Sequence, residues 1–265
     1  MQARRLPAIR GWNWIVEGFR LFRANPALLT FLVFGYWLTL VFLNLVPLLG
    51  VVLAPLCVPA LSIGIMNGCR VVERESRSGA SLFGFGLLFS GFRENRNVLL
   101  VLGAIYLAGS LAVFAGSAVV DGGALLGVMM AGKPPPEDLV QGGRLMLALQ
   151  FALLLMVPLL MAYWFAPMLA AWDGLSATKS LFFSFVACAR NWRPFLVYGL
   201  GVLFISALLP GIVLGFVGAL SAPLLEMAAV AMTLPLLFVF LPTLFASFYV
   251  SYRDVFVRPD EAAHA

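Results

Sequence analysis

The sequence predicts an all-α polytopic membrane protein: six transmembrane helices in three hairpins, each hairpin preceded by a short interfacial amphipathic helix. Composition is the first reason. Of the 265 residues 62% are hydrophobic and 11% charged, against roughly a quarter charged in soluble domains. Charge spacing is the second. Residues 24–69, 97–120, 145–172, 194–225 and 227–252 contain no Asp, Glu, Lys or Arg. A helix of roughly 20 residues crosses the hydrocarbon layer. The first window therefore holds two spans with a tight turn, and each of the others holds one. The expected spans are 27–46, 50–69, 97–120, 145–171, 194–215 and 229–251.

The first 23 residues carry five arginines and no apolar core of the kind a cleavable signal needs. Of the 17 Lys and Arg, all but Lys133 and Arg144 fall on one side of the expected topology. Positive charge stays cytoplasmic, so both termini are expected on the cytoplasmic side. The basic residues cluster at helix ends, which suits topology and an anionic lipid leaflet and argues against nucleic acid.

A repeat orders the elements. FRANPALLTFLV, FRENRNVLLVLG and CARNWRPFLVYG echo one another, with Asn25, Asn95 and Asn191 just before the odd-numbered spans. In the first unit Trp12, Ile15, Phe19 and Phe22 recur at helical spacing, with Asn13, Glu17, Arg20 and Arg23 opposite. That is an amphipathic helix suited to the headgroup plane. Leu82, Phe85, Phe89 and Phe92 form the second stripe. In the third, Leu181, Phe182, Phe185 and Ala189 oppose Ser176, Lys179 and Ser180. The even spans hold proline pairs, Pro55 with Pro59, Pro158 with Pro167 and Pro235 with Pro242, and proline kinks a helix. The odd spans are expected to be straight, Pro210 lying toward the outer end of the fifth. The chain reads as one membrane domain with units at about 11–75, 79–172 and 174–257, and a disordered tail over 258–265.

RLPAIRGWNWIVEGFRLFRANP, AYWFAPMLAAWDGLSATKSLFFSFVACARNWRPFLVYGL and FYVSYRDVF resemble a family of uncharacterised six-span inner-membrane proteins of betaproteobacteria. More distantly, the pattern is similar to YciC-like proteins and to the membrane region of some glycerophosphodiester phosphodiesterases. The soluble phosphodiesterase barrel and its metal-binding acids are missing here, so no catalytic residue transfers.

Little else points to chemistry. The one histidine, His264, stands in the tail. Cys57, Cys69 and Cys188 lack metal-ligand spacing, and no ionisable residue sits in mid-span. No enzyme activity, cofactor or metal is expected. Six arginines, Arg20, Arg23, Arg93, Arg96, Arg190 and Arg193, are candidate lipid-headgroup contacts beside aromatic residues. Asn67, Arg70, Asp173, Arg253 and Asp254, with Trp172 and Tyr252, end the even spans and form a candidate polar cluster at the cytoplasmic mouth. Gln150 is expected to hydrogen-bond between helices, and Glu226 to be a solvated loop acid. Lys133 to Asp138 reads as a stiff polar loop. The apolar tract from Gly122 to Gly132, too short to span, either extends the third span or lies on the surface.

The function these features favour is non-enzymatic: envelope lipid homeostasis or membrane organisation, with anionic membrane lipids as partners. A transporter or channel for a neutral or lipid-like solute is the alternative, because interrupted helices at repeated positions mark transport sites. A scaffold docking a partner enzyme on the basic face is a third.

Overall fold

The computed structural model describes residues 3–46, 49–75, 85–131, 134 and 142–256. Its elements are α1 (Arg10–Ala24), α2 (Pro26–Asn44), α3 (Gly50–Glu75), α4 (Phe85–Leu88) with a 3-10 turn (Ser90–Arg93), α5 (Arg96–Asp121) and α6 (Ala124–Ala131). Then follow α7 (Arg144–Tyr163), α8 (Ala166–Trp172), α9 (Ala177–Arg190), α10 (Trp192–Leu220) and α11 (Ala222–Phe256). The protein is an all-α polytopic membrane protein: six helical stretches, α2, α3, α5, α7 with α8, α10 and α11, are long and apolar enough to cross a bilayer. Arg77, Gly79, Leu82, Lys133 and Arg258 lie outside the described residues, as does the tail with His264. The Lys133 to Asp138 loop does too, apart from the exposed Pro134.

The short elements bury only part of the faces that hydrophobicity marks. On α1 the buried stripe is Gly11, Trp14, Ile15, Gly18 and Phe22, while Trp12 and Phe19 point outward. On α9 the buried stripe is Ala177, Ser180, Ser184, Ala187 and Cys188. Phe182 and Phe185, two of its expected apolar positions, are exposed. The second short helix shrinks to α4 and its 3-10 turn, with Leu88 and Gly91 buried. Lipid tails are as apolar as Leu, so the aromatic stripe gains nothing by turning inward. Small residues gain close backbone packing.

Those small faces close a ring. The turn after α4 crosses α3, where Gly91 meets the carbonyl of Ala60 and Gly64 meets the carbonyl of Leu88. Helix α9 crosses α7. Each short element thus packs on the even span before it in the chain. Helix α1 has none before it and crosses the last one, α11, with Gly18 against the backbone of Ser247. The N-terminal segment ties in further, Arg4 N–H donating to the carbonyl of Val255 (3.0 Å).

The three echoed asparagines do three different jobs. Asn25 caps α2, its side-chain oxygen accepting from Leu28 N–H (3.1 Å), with Pro26 in the first turn, where a missing N–H costs nothing. Asn95 adopts a left-handed conformation (φ 42°) and donates to the carbonyl of Ala170 (3.0 Å). Buried Asn191 accepts from Leu6 N–H (2.9 Å) and donates to the carbonyls of Arg4 (2.9 Å) and Ala187 (3.0 Å).

Proline acts less regularly than its spacing suggests. Helix α3 runs unbroken through Pro55 and Pro59. The fourth span breaks at Trp164 and Phe165, just before Pro167. There the Ser184 hydroxyl serves both sides of the break, accepting from Phe165 N–H (2.9 Å) and donating to the carbonyl of Met161 (2.8 Å). A neighbour satisfying freed backbone groups is what lets a broken helix persist in lipid. The fifth span is not uniform as expected: it takes a π-helical turn, Phe204–Leu208, before Pro210. The sixth does the same at Leu236–Phe240 before Pro242. Pro242 frees the carbonyl of Phe238, which lies 3.4 Å from the Thr30 hydroxyl.

The described part of the tract, residues 122–131, does not prolong α5. Gly122 and Gly123, both at positive φ, turn the chain, and Asp121 accepts from Gly123 N–H (2.9 Å) and Leu125 N–H (2.6 Å) to start α6. Leu125 then packs with Val113 and Ala152. Gln150 is exposed rather than placed between helices. Glu226 is exposed on α11, which begins earlier than expected.

Candidate functional site: a polar network at the arginine-rich end

The ends of α3 and α11 meet α1 at the arginine-rich end of the bundle, where α8 packs on α3, and two hydrogen-bonded chains form there. The first runs from α11 through α1 to α3. The Asp254 carboxylate accepts from Arg10 Nε (2.6 Å) and Trp14 Nε1 (2.9 Å). Arg10 Nη2 also pairs with Glu17 Oε1 (3.0 Å). Glu17 Oε2 accepts from Arg253 Nη2 (2.9 Å), and Arg253 Nη1 pairs with Glu73 Oε1. Tyr249 closes the chain by donating to Glu73 Oε2 (2.6 Å). Burial works against the charge on Arg10, but the hydrogen bond and charge of Asp254, with those of Glu17, hold its guanidinium above the ordinary arginine value.

The second chain centres on Trp172. Its indole N–H donates to Asn67 Oδ1 (3.0 Å). Asn67 Nδ2 donates to Ser90 Oγ (2.8 Å) and to Glu94 Oε1 (3.0 Å). The Arg70 guanidinium stacks over the Trp172 ring at 4.6 Å, an attraction to the ring quadrupole. Tyr252 donates to Asp173 Oδ2 (2.8 Å). Trp172 meets Tyr249 (6.2 Å) and Tyr252 (5.1 Å) edge-on, which joins the two chains.

The candidate residues of the mouth therefore divide. Asn67, Arg70 and Asp173 belong to the Trp172 chain, and Arg253 and Asp254 to the α1 chain. Sequence reasoning missed Arg10, Trp14, Glu17, Glu73, Glu94 and Tyr249. Glu17 and Glu73 were visible as acids near basic helix ends, but nothing local pairs them with Arg253, which lies at the far end of the chain. The six candidate lipid contacts, Arg20, Arg23, Arg93, Arg96, Arg190 and Arg193, are all exposed. They share that surface with exposed Phe19, Phe89, Phe182, Phe185 and Trp192. Arg23 lies 6.0 Å from the Phe19 ring and Arg193 5.4 Å from that of Trp192.

Cys69 and Cys188 are buried, and burial pushes the Cys188 thiol up to about 12. Among the described residues no group of three His, Cys, Asp or Glu is placed to hold a metal ion.

This architecture has a curated counterpart. A protein of Burkholderia thailandensis named as a probable inner membrane protein is 35% identical over 262 residues, covering 97% of this chain and 94% of its own. The chain belongs to that family. A membrane protein is what the six apolar helices require, and the resemblance to bacterial inner-membrane proteins read from the sequence holds. The wider likeness to YciC-like proteins has no support, since no protein-family model matches the chain. No solved structure matches it either. In this chain the network at the arginine-rich end and the six exposed arginines are the chemistry the fold displays.

Proposed function

We propose that this inner-membrane protein acts without catalysis in envelope lipid homeostasis or membrane organisation, holding anionic lipid at its arginine-rich face. One observation carries the reading: six arginines stand exposed beside exposed aromatic rings on or just after the short elements. Amphipathic tips of this kind favour the headgroup layer, and a basic residue near an anionic surface contributes about 1 kcal/mol. The network acids support the non-catalytic part. Glu17, Glu73, Asp173 and Asp254 are engaged in holding helix ends together.

The arginine-rich face and both termini are cytoplasmic on this reading, from the bias of basic residues. A C-terminal reporter that is active only in the cytoplasm should be active, and silence with intact expression would reverse the topology. The main test replaces Arg20, Arg23, Arg93, Arg96, Arg190 and Arg193 by Gln. Phosphatidylglycerol carried into native mass spectrometry should fall by about tenfold or more, given roughly 1 kcal/mol for each charge lost. Unchanged occupancy in a folded variant would overturn the lipid role.

A further inference from the structure

A crevice of about 300 Å3 opens between α1, α3 and α11 at the arginine-rich end, lined by Glu17, Arg20, Leu21, Ala24, Glu73, Val250 and Arg253. We propose that it seats the headgroup of an amine-bearing zwitterionic phospholipid, with its phosphate on Arg20 and its ammonium between Glu17 and Glu73. The proposal deepens the reading above and rests on lipid being held at this face.

Charge decides which headgroup fits. Arg253 is committed to Glu17 and Glu73, and Arg10 to Glu17 and Asp254. With exposed Arg20 the lining carries two guanidiniums and two carboxylates and is neutral. An anionic headgroup would meet one free guanidinium flanked by two carboxylates. A zwitterion adds no net charge and can place each pole against its opposite. Each oxygen of Glu17 and Glu73 has one donor, whereas a carboxylate has about four acceptor sites. A primary ammonium, with three N–H donors, can use that spare capacity. A trimethylated amine has no N–H, and the lining offers none of the aromatic rings that receive quaternary ammonium.

Placement favours a lipid over a soluble zwitterion. Arg20 lies one turn beyond Glu17 on α1, and Leu21, Ala24 and Val250 give the crevice an apolar side. Helix α1 ends there and the first span begins at Pro26, so a headgroup in the crevice has its chains alongside a membrane span. A larger depression of about 650 Å3, lined by Asp173, Leu175, Thr178, Lys179, Phe182 and Phe183, has one acid and one cation. Its acid already accepts from Tyr252, so it lacks the doubled carboxylates.

Native mass spectrometry of the full-length protein tests this. The protein is equilibrated with equimolar phosphatidylethanolamine, phosphatidylcholine and phosphatidylglycerol of the same acyl chains. One phosphatidylethanolamine should be retained over phosphatidylcholine by about tenfold, the expected difference for a charge-assisted hydrogen bond. Arg20→Gln, at an exposed position, should reduce that retention. Glu73→Gln should remove the preference while leaving phosphatidylglycerol bound at the other arginines. The wild-type comparison of the two zwitterions needs no variant, so misfolding of Glu73→Gln cannot mask the result. Equal retention of both zwitterions overturns the proposal. If phosphatidylglycerol is then still retained, the arginine reading stands without the crevice; if it is lost as well, both fail. Glycerophosphoethanolamine retained as well as the intact lipid would overturn the lipid assignment, because it has no acyl chains.

Discussion

Leucine at Gly64 is expected to unfold the protein or strip the α4 segment from it. A Cβ at this position would run into the main-chain carbonyl of Leu88, which cannot rotate away as a side chain can. Overpacking costs about 1–3 kcal/mol where side chains can shift, and here backbone must move, so the upper end or more is expected. Melting followed by size-exclusion fluorescence in detergent should show a clear loss of Tm or of the monodisperse peak. Gly18→Leu, which meets the backbone of Ser247, should behave alike and free α1 from α11. Gly199→Leu is the control, because open space surrounds that glycine and little change is expected. A stable Gly64→Leu variant with wild-type melting would refute the close crossing, and the ring with it.

Arg253→Met should give the next largest effect. It leaves Glu17 facing Glu73 with their shared cation gone. Exposed ion pairs are worth about 0–1 kcal/mol, and breaking a buried pair costs about 3–5 kcal/mol. These groups are a quarter to a third exposed, so a loss of about 2 kcal/mol is expected. Adding Glu73→Gln to Arg253→Met should recover part of it, since one unpaired charge is then removed. A double-mutant cycle read by denaturation measures the coupling. Additive losses would mean that the two residues do not act on one another in the folded protein.

Much of the molecule was legible before its fold. Charge-free windows gave six spans because lipid tolerates no unpaired charge at low cost, and the observed spans start within a few residues of those expected, except the sixth. The Arg and aromatic positions at helix ends were likewise a local matter, since each reports its own preference for an interface. Three-dimensional packing decided the rest. Hydrophobic periodicity marked one apolar stripe on α1 and one on α9, and only packing shows that Ile15 and Phe22 of the first turn inward while Trp12, Phe19, Phe182 and Phe185 stay exposed. Periodicity measures water avoidance, which in lipid does not distinguish protein from solvent. The faces that pack are those of Gly18 and Ser184, selected by how closely backbones approach and by which freed groups need a partner.

The polar cluster shows the same division. Asn67, Arg70, Asp173, Arg253 and Asp254 could be named from their places at span ends. That Arg253 serves Glu17 follows from α1 crossing the last span rather than the nearest, and that it serves Glu73, or that Trp172 joins two chains, follows from the ends of α3, α8 and α11 meeting. The sequence by itself determined that this is a six-span membrane protein with a basic face, because burial of charge in lipid is a local cost. Only the tertiary structure decided which acid meets which arginine, because a ring that joins the two ends of a chain leaves no local trace in either.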